Sequence, residues 1–583
     1  MAYGTTQGTS TFDFSTVADK RKAFLQRHGA LKTERSTWRT HWADISTHLL
    51  PRNGRFFISD RNRTGADRYN KIYDSTGTRA LRTLGAGMQA GATNPARPWF
   101  KLTTADPDLG NYYPVRAWLD DVVERMQRVF ARSNTYRALH QAYEELGAFG
   151  TAVSIVLPDF KNVIHHYPVV CGEYCLQQDY QGKIVACYRE FEKTVGEVVK
   201  EFGLPNCSVT TQQQWDSRNL ENPVQILHVI EPRADQERNP ESKMPTDMAW
   251  KSCHLELGGD DDKLLRESGY KRFPVLAPRW AVAGGDVYGT SPGMESLGDI
   301  RQLQQEQLRK GQAIDYQVRP PLQIPSKMLG RESEIFPGGL SYVDPGTMLP
   351  FDQVTPNGGV RPAFEVRLDL SHLLVDIEDV RKRIESSFYA NLFLMLSTGA
   401  DNQKTATEIA ERHEEKLLAL GPVLERLHNE LLQPLIDMTF DNMAEAGLLP
   451  PAPEELEGQE LTVEFVSILA QAQRAVGSNS VDRFVGNVLA VSAVKPEVLD
   501  KVNFDQWADH YSEILGVPTD LIVPDEDVLA LRKARAEAEA AQARIAAERE
   551  EAATAKDMGG VKTDERNVVA DALNTGSAEE IMR

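Results

Sequence analysis

The chain has 583 residues and a formal net charge of −19, and its 41% hydrophobic and 26% charged residues are typical of a soluble globular protein. A chain this long exceeds what one hydrophobic core usually serves, so we expect two to four structural units. The longest apolar-leaning run, 386–400, is too short to span a bilayer and is interrupted by Asn391 and Gly399. The N-terminal residues lack the pattern of a secretory signal, and five cysteines indicate a reducing compartment. These features exclude membrane and secreted proteins.

The charge is unevenly distributed along the chain. Residues 1–105 contain 17 Lys and Arg against 7 Asp and Glu, whereas the remainder contains 48 basic and 77 acidic residues. A net negative charge disfavours tight binding of nucleic acid, because each phosphate contact needs a cation to replace released counterions. It remains compatible with a protein past which nucleic acid slides.

Apolar periodicity predicts four helices in the first 150 residues, at 23–50, 75–92, 114–131 and 135–149. Alternating and β-branched runs predict a β-rich region at 151–285. A helix at 293–316 precedes a stretch at 317–363 in which Pro/Gly turns separate very short strands. This order of elements predicts a mixed fold of the α+β class.

The second half of the chain is predicted to be mainly helical. Two long helices follow the Pro/Gly-rich stretch, and Gly421-Pro422 should kink the second of them, because proline lacks the N–H and clashes with the preceding turn. The run LTVEFVSI predicts a short strand after them. Further helices are predicted at 468–515 and 527–551, and the last thirty residues have a composition typical of disorder.

The segment 289–293 fits the G-x-S-x-G pattern of the α/β-hydrolase nucleophile, with Ser291 at its centre. In that motif the residue after the nucleophile donates its backbone N–H to the oxyanion, and Pro292 has none. A tight turn that opens a helix, with proline in the first turn, explains the same residues. We therefore favour the turn.

The segment 85–90 matches G-x-G-x-x-A, a dinucleotide-binding pattern that requires a preceding strand. A predicted helix precedes it instead, so we interpret Gly85 and Gly87 as small residues that permit close packing. No G-x-x-x-x-G-K-[ST] phosphate loop occurs in the sequence.

Two clusters raise the question of a metal site. Cys171 and Cys175, with His165 and His166 upstream, lack a second ligand pair at matching spacing, so buried thiols on strands are the favoured interpretation. The consecutive acids 260–262 fan out around a loop instead of converging, which favours a solvated turn.

Basic and aromatic residues alternate in the segment 52–71. This pattern is typical of a nucleic-acid surface, but arginine stems also pack against aromatic rings in ordinary folds and in subunit contacts, and both interpretations stay open. The residues concerned are Arg52, Arg55, Phe56, Phe57, Arg61, Arg63, Arg68, Tyr69 and Lys71.

Five long blocks lie in order along the chain: ERSTWRTHWADISTHLLPRNGRF (34–56), IYDSTGTRALRTLGAGMQAGATNPARPWFKL (72–102), TATEIAERHEEKLLALGPVLERLHNELLQPLI (405–436), LPPAPEELEG (449–458) and LTVEFVSILAQAQRA (461–475). Together with the order of helices and insert, they resemble the head-to-tail connector, or portal, proteins of short-tailed bacteriophages. The resemblance covers most of the chain. Beyond residue 500 it rests on position and composition alone.

The resemblance implies a ring of twelve copies around a central channel at one vertex of the capsid. It implies that the ring nucleates head assembly with the major capsid and scaffolding proteins, docks the terminase motor, and later joins tail adaptor or nozzle proteins. Duplex DNA would pass through the channel during packaging and ejection. The chain itself would be a passive conduit without enzymatic activity, cofactor or membrane, assembled in the bacterial host cytoplasm and located in the virion.

The family's architecture can be assigned along this chain. The resemblance implies an α/β wing, a helical stem, a small β-containing clip, a tunnel loop and a helical crown. The implied ranges are wing 1–285 and 405–505, stem helices 286–316 and 364–389, clip 317–363, tunnel loop 390–404, crown 506–552 and a disordered tail at 553–583.

Channel contacts to DNA are predicted from these positions. Polar and cationic residues of the tunnel loop, stem and clip are the candidates, and for each an exposed charge or an ion pair between subunits remains the ordinary alternative. They are Asn402, Gln403, Lys404, Arg309, Lys310, Arg319, Lys327 and Arg331.

Twelve copies at −19 each carry −228, and such an acidic ring can surround DNA without gripping it. The basic segment 1–105 is then expected to be available for subunit or capsid contacts. Two alternatives to the portal interpretation remain, namely another virion ring component such as a tail adaptor and a serine hydrolase using Ser291.

Overall fold

The computed structural model describes residues 16–56, 69–325, 340–343, 361–362, 371–398, 420–470 and 525–559, apart from short gaps at 107–108, 111, 240–241, 243, 261, 457 and 460, and a few isolated residues between 488 and 507. The chain forms two compact units, Met1–Arg483 and Phe484–Arg583. The first unit mixes helices and sheets, which confirms the predicted α+β class. Among the described helices, none is both long and apolar enough to cross a membrane.

Helices and one strand open the first unit: α1 (Val17–Glu34), α2 (Ser36–His48), α3 (Thr76–Ala92), β1 (Phe100–Thr104), α4 (Tyr113–Arg132) and α5 (Thr135–Phe149). The helix predicted at 23–50 is therefore two helices, which meet at Arg35. Trp42 is fully buried between α2 and α5, and its indole N–H donates to the carbonyl of Phe149 at 3.1 Å. α5 ends at Gly150, whose φ of +74° is left-handed, and a Cβ there would lie 2.1 Å from the carbonyl oxygen of Gly289.

The β-rich region predicted at 151–285 is confirmed. Its elements are β2 (Val153–Asp159), β3 (Val163–Val169), β4 (Tyr174–Gln178), β5 (Ile184–Thr194), α6 (Val195–Phe202), α7 (Val209–Asp216), β6 (Pro223–Pro232), β7 (Trp250–Glu256), β8 (Arg266–Tyr270) and β9 (Val275–Leu276). Strands β4 to β8 form an antiparallel five-stranded sheet in sequence order, and β3, β2 and β9 form a second antiparallel sheet. α6 begins with a reciprocal capping box between Thr194 and Glu197.

Helix α1 is held on the five-stranded sheet by its cations. The basic segment 1–105 was expected to be available for subunit or capsid contacts, and four cations of α1 instead contact the sheet of the same chain. The buried guanidinium of Arg21 donates to the carbonyl of Glu256 at 2.6 Å. Three further cations of α1 pair with carboxylates of the sheet: Lys20 with Glu267 (3.4 Å), Arg27 with Glu231 (2.5 Å) and Lys32 with Glu190 (2.8 Å).

A helix pair with an insert between its members follows the sheets. Its elements are α8 (Pro292–Glu295), α9 (Leu297–Val318), β10 (Leu322–Pro325), β11 (Leu340–Val343), β12 (Arg361–Pro362), α10 (Ser371–Ser387) and α11 (Ala390–Thr398). β10 lies in the middle of a small sheet, parallel to β11 and antiparallel to β12. The prediction of a helix at 293–316 followed by very short strands is confirmed for the described residues.

The boundary predicted for the tunnel loop at residue 390 is wrong, because α11 occupies its first nine residues. The sequence ANLFLML is apolar, and Leu392 and Phe393 are fully buried. Phe393 packs against α3, where a Cβ on Gly87 would lie 2.3 Å from it. Residues 399–404 lie outside the described residues.

The last described part of the first unit is a helix that continues from 420 through a π turn, His428–Leu432, into α12 (Gln433–Glu445), followed by β13 (Leu461–Phe465). The predicted strand is confirmed, and it pairs antiparallel with β1. The described part of this helix is irregular at the π turn. A kink at Gly421-Pro422 involves the residues before 420, which lie outside the described part, so it stays a prediction. The carboxylate of Glu430 in the π turn accepts two hydrogen bonds from Arg279, one from the guanidinium at 2.7 Å and one from the backbone N–H of Arg279 at 2.9 Å.

The second unit contains one long described helix, α13 (Asp525–Gly559), about 50 Å in length. It extends the helix predicted at 527–551 in both directions. The predicted tail at 553–583 is therefore wrong for its first seven residues, because the Ala- and Glu-rich composition continues past 551 and favours helix. Residues 560–583 lie outside the described residues.

Candidate channel site on the paired helices

Helices α9 and α10 pack side by side through their ends nearest the main body. Ile300 and Leu303 of α9 are buried there, as are Ile377 and Val380 of α10. Because the sequence between them leaves and returns at the far ends, the small sheet β10–β12 lies in the connection between the pair. The pair and its insert therefore form a helical hairpin that carries a small sheet at its far end.

Asp74, just before α3, anchors both helices. Its side chain is 5% exposed; Oδ1 accepts from the N–H and hydroxyl of Thr76 at 2.8 and 2.6 Å. Oδ2 accepts from Gln307 of α9 at 3.1 Å and from Arg381 of α10 at 2.7 Å. Burial alone would raise the pKa of Asp74, but the hydrogen bonds from Thr76 and Arg381 outweigh it and lower the pKa below its usual value.

Gln304 of α9 completes this junction through its side-chain amide. Its oxygen accepts from the backbone N–H groups of Tyr73 and Asp74 at 2.6 and 2.8 Å, and its nitrogen donates to the carbonyl of Asp74 at 2.9 Å. A buried amide with all these partners fixes the axial position and the rotation of α9 relative to the segment that leads into α3.

Two carboxyl groups, those of Glu306 in α9 and Asp376 in α10, face each other across the helix pair. Gln302 donates to Glu306 of α9 at 2.7 Å and to Asp376 of α10 at 3.5 Å. Burial raises the pKa of Glu306. The neighbouring Asp376 raises it further, both through a hydrogen bond and through the repulsion between the two carboxylates. Arg383 of α10 pairs with Asp299 of α9 at 3.3 Å on the side towards the main body.

The distal halves of both helices expose aliphatic side chains. No residue of α9 beyond Gln304 is buried, and Val318 is 70% exposed at its end. On α10, Val375 is also 70% exposed and Leu374 is half-exposed. Exposed aliphatic residues on paired helices are typical of a surface that another subunit covers.

The structure does not bring the predicted channel cations together. Arg309 is exposed and Lys310 half-buried on α9, and adjacent helical residues point about 100° apart. Arg319 is exposed just after α9, about 15 Å farther along the axis than Arg309. The other predicted contacts, Lys327, Arg331, Asn402, Gln403 and Lys404, lie outside the described residues.

Ser291 is placed as a helix cap. It is 1% exposed, and its hydroxyl donates to the carbonyl of Ala148 at 2.8 Å and accepts from the N–H of Met294 at 3.1 Å. Both hydrogen-bonding roles of the hydroxyl are used, and Pro292 occupies the first turn of α8. The arrangement matches the turn favoured from the sequence.

The glycines of the dinucleotide-like pattern lie inside α3, as the packing interpretation predicted. A Cβ on Gly85 would lie 2.8 Å from the side chain of Glu144, and one on Gly87 would lie 2.3 Å from Phe393. These close approaches let α3 pack tightly against α5 and α11.

The two candidate metal clusters do not converge within the described residues. Cys171 and Cys175 are buried free thiols, and burial raises the pKa of both. Asp260 accepts from the N–H of Val209 at 2.9 Å and so caps α7; Asp261 is not described. No group of three or more His, Cys, Asp and Glu side chains in the described ranges could hold a metal ion.

The basic and aromatic segment at 52–71 is described only at its two ends. Phe56 is buried beside Phe149, and the backbone N–H of Arg55 donates to the carbonyl of Cys171 at 2.9 Å. Arg61, Arg63, Arg68 and Phe57 lie outside the described residues. The end at 55–56 therefore packs as an ordinary fold does, whereas Tyr69 and Lys71 at the other end are exposed, and the nucleic-acid interpretation stays a prediction.

The residues that position the helix pair were missed at the sequence level. The Asp74-Ser75-Thr76 pattern before α3 signals a helix start, but nothing local indicates that Asp74 also meets Gln307 and Arg381. Such contacts between distant residues leave no mark in periodicity.

A helix pair that carries an insert and exposes aliphatic side chains is typical of proteins that work as assemblies. The family model described as bacteriophage head to tail connecting protein matches residues 21–523, so the chain belongs to this family.

Two relatives match along almost their full length. The chain is 56% identical over 552 residues to the "Probable portal protein" of Bordetella phage BPP-1, covering 95% of this chain and 98% of the relative. It is 40% identical over 565 residues to the "Portal protein" of Salmonella phage epsilon15, covering 96% and 99%. The "Portal protein" of Escherichia phage T7 is 22% identical over 460 residues, covering 75% of this chain and 76% of the relative.

Proposed function

We propose that this chain is a portal protein, which forms a ring at one capsid vertex through which duplex DNA enters during packaging and leaves during ejection. The observation that carries the proposal is the 56% and 40% identity, along nearly the whole chain, to two proteins called portal proteins. Membership of the head-to-tail connecting family supports the same role. Twelve copies per ring is the number that the family resemblance implies.

In this proposal each part of the chain has a place in the ring. Residues 1–285 and 405–505 form the wing, 286–316 and 364–389 the stem, 317–363 the clip, and 506–552 the crown. The exposed Val375 supports the stem assignment, because neighbouring copies of the helix pair would cover it. Since α11 is helical and its Leu392 and Phe393 are buried, the proposed tunnel loop is narrowed to 399–404.

The charge of the chain supports a conduit that does not grip its cargo. An acidic ring with few cations makes few phosphate contacts, so DNA can slide. Arg309 on the stem and Arg319 at the start of the clip are exposed but separated, and they suit transient contacts better than a continuous basic lining. Lys310, Lys327, Arg331, Asn402, Gln403 and Lys404 remain the other proposed channel contacts.

The proposed partners follow from the same arrangement. The clip would dock a terminase motor, which hydrolyses ATP, and later the tail adaptor or nozzle proteins; the wing would meet major capsid and scaffolding proteins. The chain itself would be neither an enzyme nor the holder of a cofactor. It would assemble in the bacterial host cytoplasm and remain in the virion.

Native mass spectrometry and negative-stain microscopy of the purified full chain test this proposal. We expect a closed ring of one dominant copy number with a central opening. A chain that remains monomeric or dimeric at all protein and salt concentrations would contradict the proposal.

A further inference from the structure

Helix α1 covers one face of the five-stranded sheet with little apolar surface of its own. Its buried positions follow helical spacing, yet Arg21 and His28 are buried there beside Phe24 and Leu31. The side chains of the sheet that pack with Phe24 and Leu31 are almost all apolar and almost completely buried. They include Cys175, Tyr188, Leu227, Val229, Cys253 and Leu255. The apolar contact of α1 with this face is therefore carried mainly by two side chains.

Charge supplies much of the remaining attachment of α1. The helix contains five Lys and Arg against two acidic residues, and three of the cations pair with carboxylates of the sheet. These cations are 25%, 48% and 45% exposed, so salt ions reach them, and attraction between such charges weakens as the ionic strength rises. The pairs are Lys20–Glu267, Arg27–Glu231 and Lys32–Glu190.

Two of the three carboxylates have a second cation that does not belong to α1. Glu231 pairs with Lys251 of β7 at 2.9 Å, and Glu267 pairs with Arg233, which follows β6, at 3.2 Å. Breaking a buried ion pair is costly when it leaves one charge without a counterion. Because Lys251 and Arg233 remain in place, release of α1 would not leave Glu231 or Glu267 in that state.

Arg35 marks the point up to which α1 can separate from the sheet. Its buried guanidinium donates to the carbonyls of Gly172, at 3.1 Å, and Tyr174, and α2 beyond it is anchored by the fully buried Trp42. Gly29 weakens the helix before this point, since glycine is among the poorest helix formers. A Cβ at Gly29 would meet no atom within 4 Å, so packing does not require the glycine.

We propose that α1 is a detachable strap, which leaves the sheet up to Arg35 when the ionic strength rises and so uncovers the apolar face beneath it. The docked state is favoured by a small apolar contact and by ion pairs that salt screens. A change in salt therefore shifts the equilibrium between the docked and the released helix. The device belongs to a single chain and does not depend on the proposed ring.

The five buried free cysteines provide the test, because a buried thiol reacts only when the structure around it opens. Cys175 and Cys253 belong to the cluster under α1. The other three belong to different clusters and serve as controls within the same chain; they are Cys171, Cys187 and Cys207.

Alkylation of the purified full chain by iodoacetamide is followed at each cysteine by peptide mass spectrometry. We expect the rates at Cys175 and Cys253 to rise about tenfold between about 0.05 M and about 1 M sodium chloride, and those at the other three to change less than about twofold. The comparison is made at a protein concentration at which mass photometry gives the same oligomeric state in both salts.

Substitutions in α1 should move this equilibrium in opposite directions. Arg27→Gln removes one ion pair, so we expect alkylation of Cys253 at low salt to rise about threefold and to depend less on salt. Gly29→Ala strengthens the helix, so alkylation should slow at both salt concentrations. Arg128→Gln is the matched control, because Arg128 forms an exposed ion pair with Glu124 within α4, and it should behave as the wild type does.

Hydrogen exchange locates the end of the released segment. Exchange in α1 should accelerate with salt while exchange in α2 stays slow, and acceleration of both helices together would overturn the assignment of Arg35. Alkylation of Cys175 and Cys253 that does not respond to salt, or that accelerates equally at all five cysteines, would overturn the strap itself. The portal proposal would stand in each of these cases, because ring formation by the wild type is measured separately.

Discussion

Asp74 and Arg381 lie 307 residues apart in the chain, yet their side chains meet at 2.7 Å where the paired helices join the main body. The carboxylate is almost fully buried, whereas the guanidinium is 38% exposed. This asymmetry makes Asp74 the more sensitive partner, because a lost arginine can be replaced by water while a lost carboxylate leaves Thr76, Gln307 and Arg381 without their acceptor.

Replacing Asp74 by Ala should loosen the attachment of the helix pair. We expect a destabilisation of about 2–4 kcal/mol, the range for breaking a buried charge-assisted network. Hydrogen exchange should accelerate in α9 and α10 more than in the five-stranded sheet. Asp379→Ala removes an exposed partner of Arg383 and serves as the control, with an effect below about 1 kcal/mol. Equal exchange in both variants would show that Asp74 is not the anchor.

The burial of Glu145 should make the folded state progressively less stable as the pH rises from acid to mildly alkaline values. It is fully buried in α5, and burial raises its pKa to about 8, although Gln141 donates to it at 2.9 Å. The unfolded chain releases this proton near its ordinary pKa of 4.5 and the folded chain does not, so the contribution of Glu145 to stability should fall as the pH rises from about 4.5 to about 8.

Glu145→Gln removes this titration and keeps the shape of the side chain. The thermal unfolding midpoint of Glu145→Gln should therefore increase relative to that of the wild type as the pH rises from about 4.5 to about 8. Identical pH profiles for the two proteins would count against a neutral buried carboxyl at 145.

His228 and His254 predict a loss of stability in acid. Their rings stack at 3.9 Å inside the five-stranded sheet, and His228 shares a 2.9 Å hydrogen bond with Ser252. Burial lowers the pKa of His228 to about 3, and burial together with His228 lowers that of His254. Since the two histidines of the unfolded chain bind protons at about pH 6.5 and those of the folded chain do not, their contribution to stability should decline steadily as the pH falls from about 6.5 to about 3.

The double variant His228→Gln/His254→Gln should lose part of this dependence. Thermal unfolding between pH 4 and pH 7 measures the slope. Because His28 and His166 also have pKa values lowered to about 4 by burial, the slope should shrink without vanishing. An unchanged slope would contradict the assignment to the stacked pair.

Gly87 is predicted to tolerate no side chain. Gly87→Ala should cost about 1–3 kcal/mol, because its Cβ would lie 2.3 Å from Phe393 and overpack the core. Adding Phe393→Leu should recover part of this loss. Gly29→Ala, in α1 with no atom within 4 Å of the new Cβ, is the matched control and should be neutral or stabilising by up to about 1 kcal/mol. Chemical denaturation of the three variants compares them.

The sequence predicts the helices and strands of this protein better than it predicts the contacts between residues that are far apart in the chain. The strand β6 lies in the β-rich region predicted at 151–285 and spans PVQILHVIEP, an apolar and β-branched run that is bounded by polar loops. Residues 390–398 were assigned to the tunnel loop from the family resemblance, yet Leu392 and Phe393 are buried in a core to which α3 contributes. The Asp74 junction could not be predicted, because nothing near Asp74 indicates which distant side chains reach it. The same limit applies to the cations of α1, whose partners lie more than 150 residues away.

Two deletions should separate the buried helix from the proposed tunnel loop. Deleting 391–398 removes Leu392 and Phe393 from the core, so we expect misfolded protein and no rings. Deleting 399–404 leaves α11 intact, so rings should form normally while packaging or retention of DNA declines. Ring formation is read by native mass spectrometry and DNA retention by nuclease protection of filled heads. Loss of rings in the 399–404 deletion would show that these residues serve assembly, because a loop that only contacts moving DNA is not needed to close the ring.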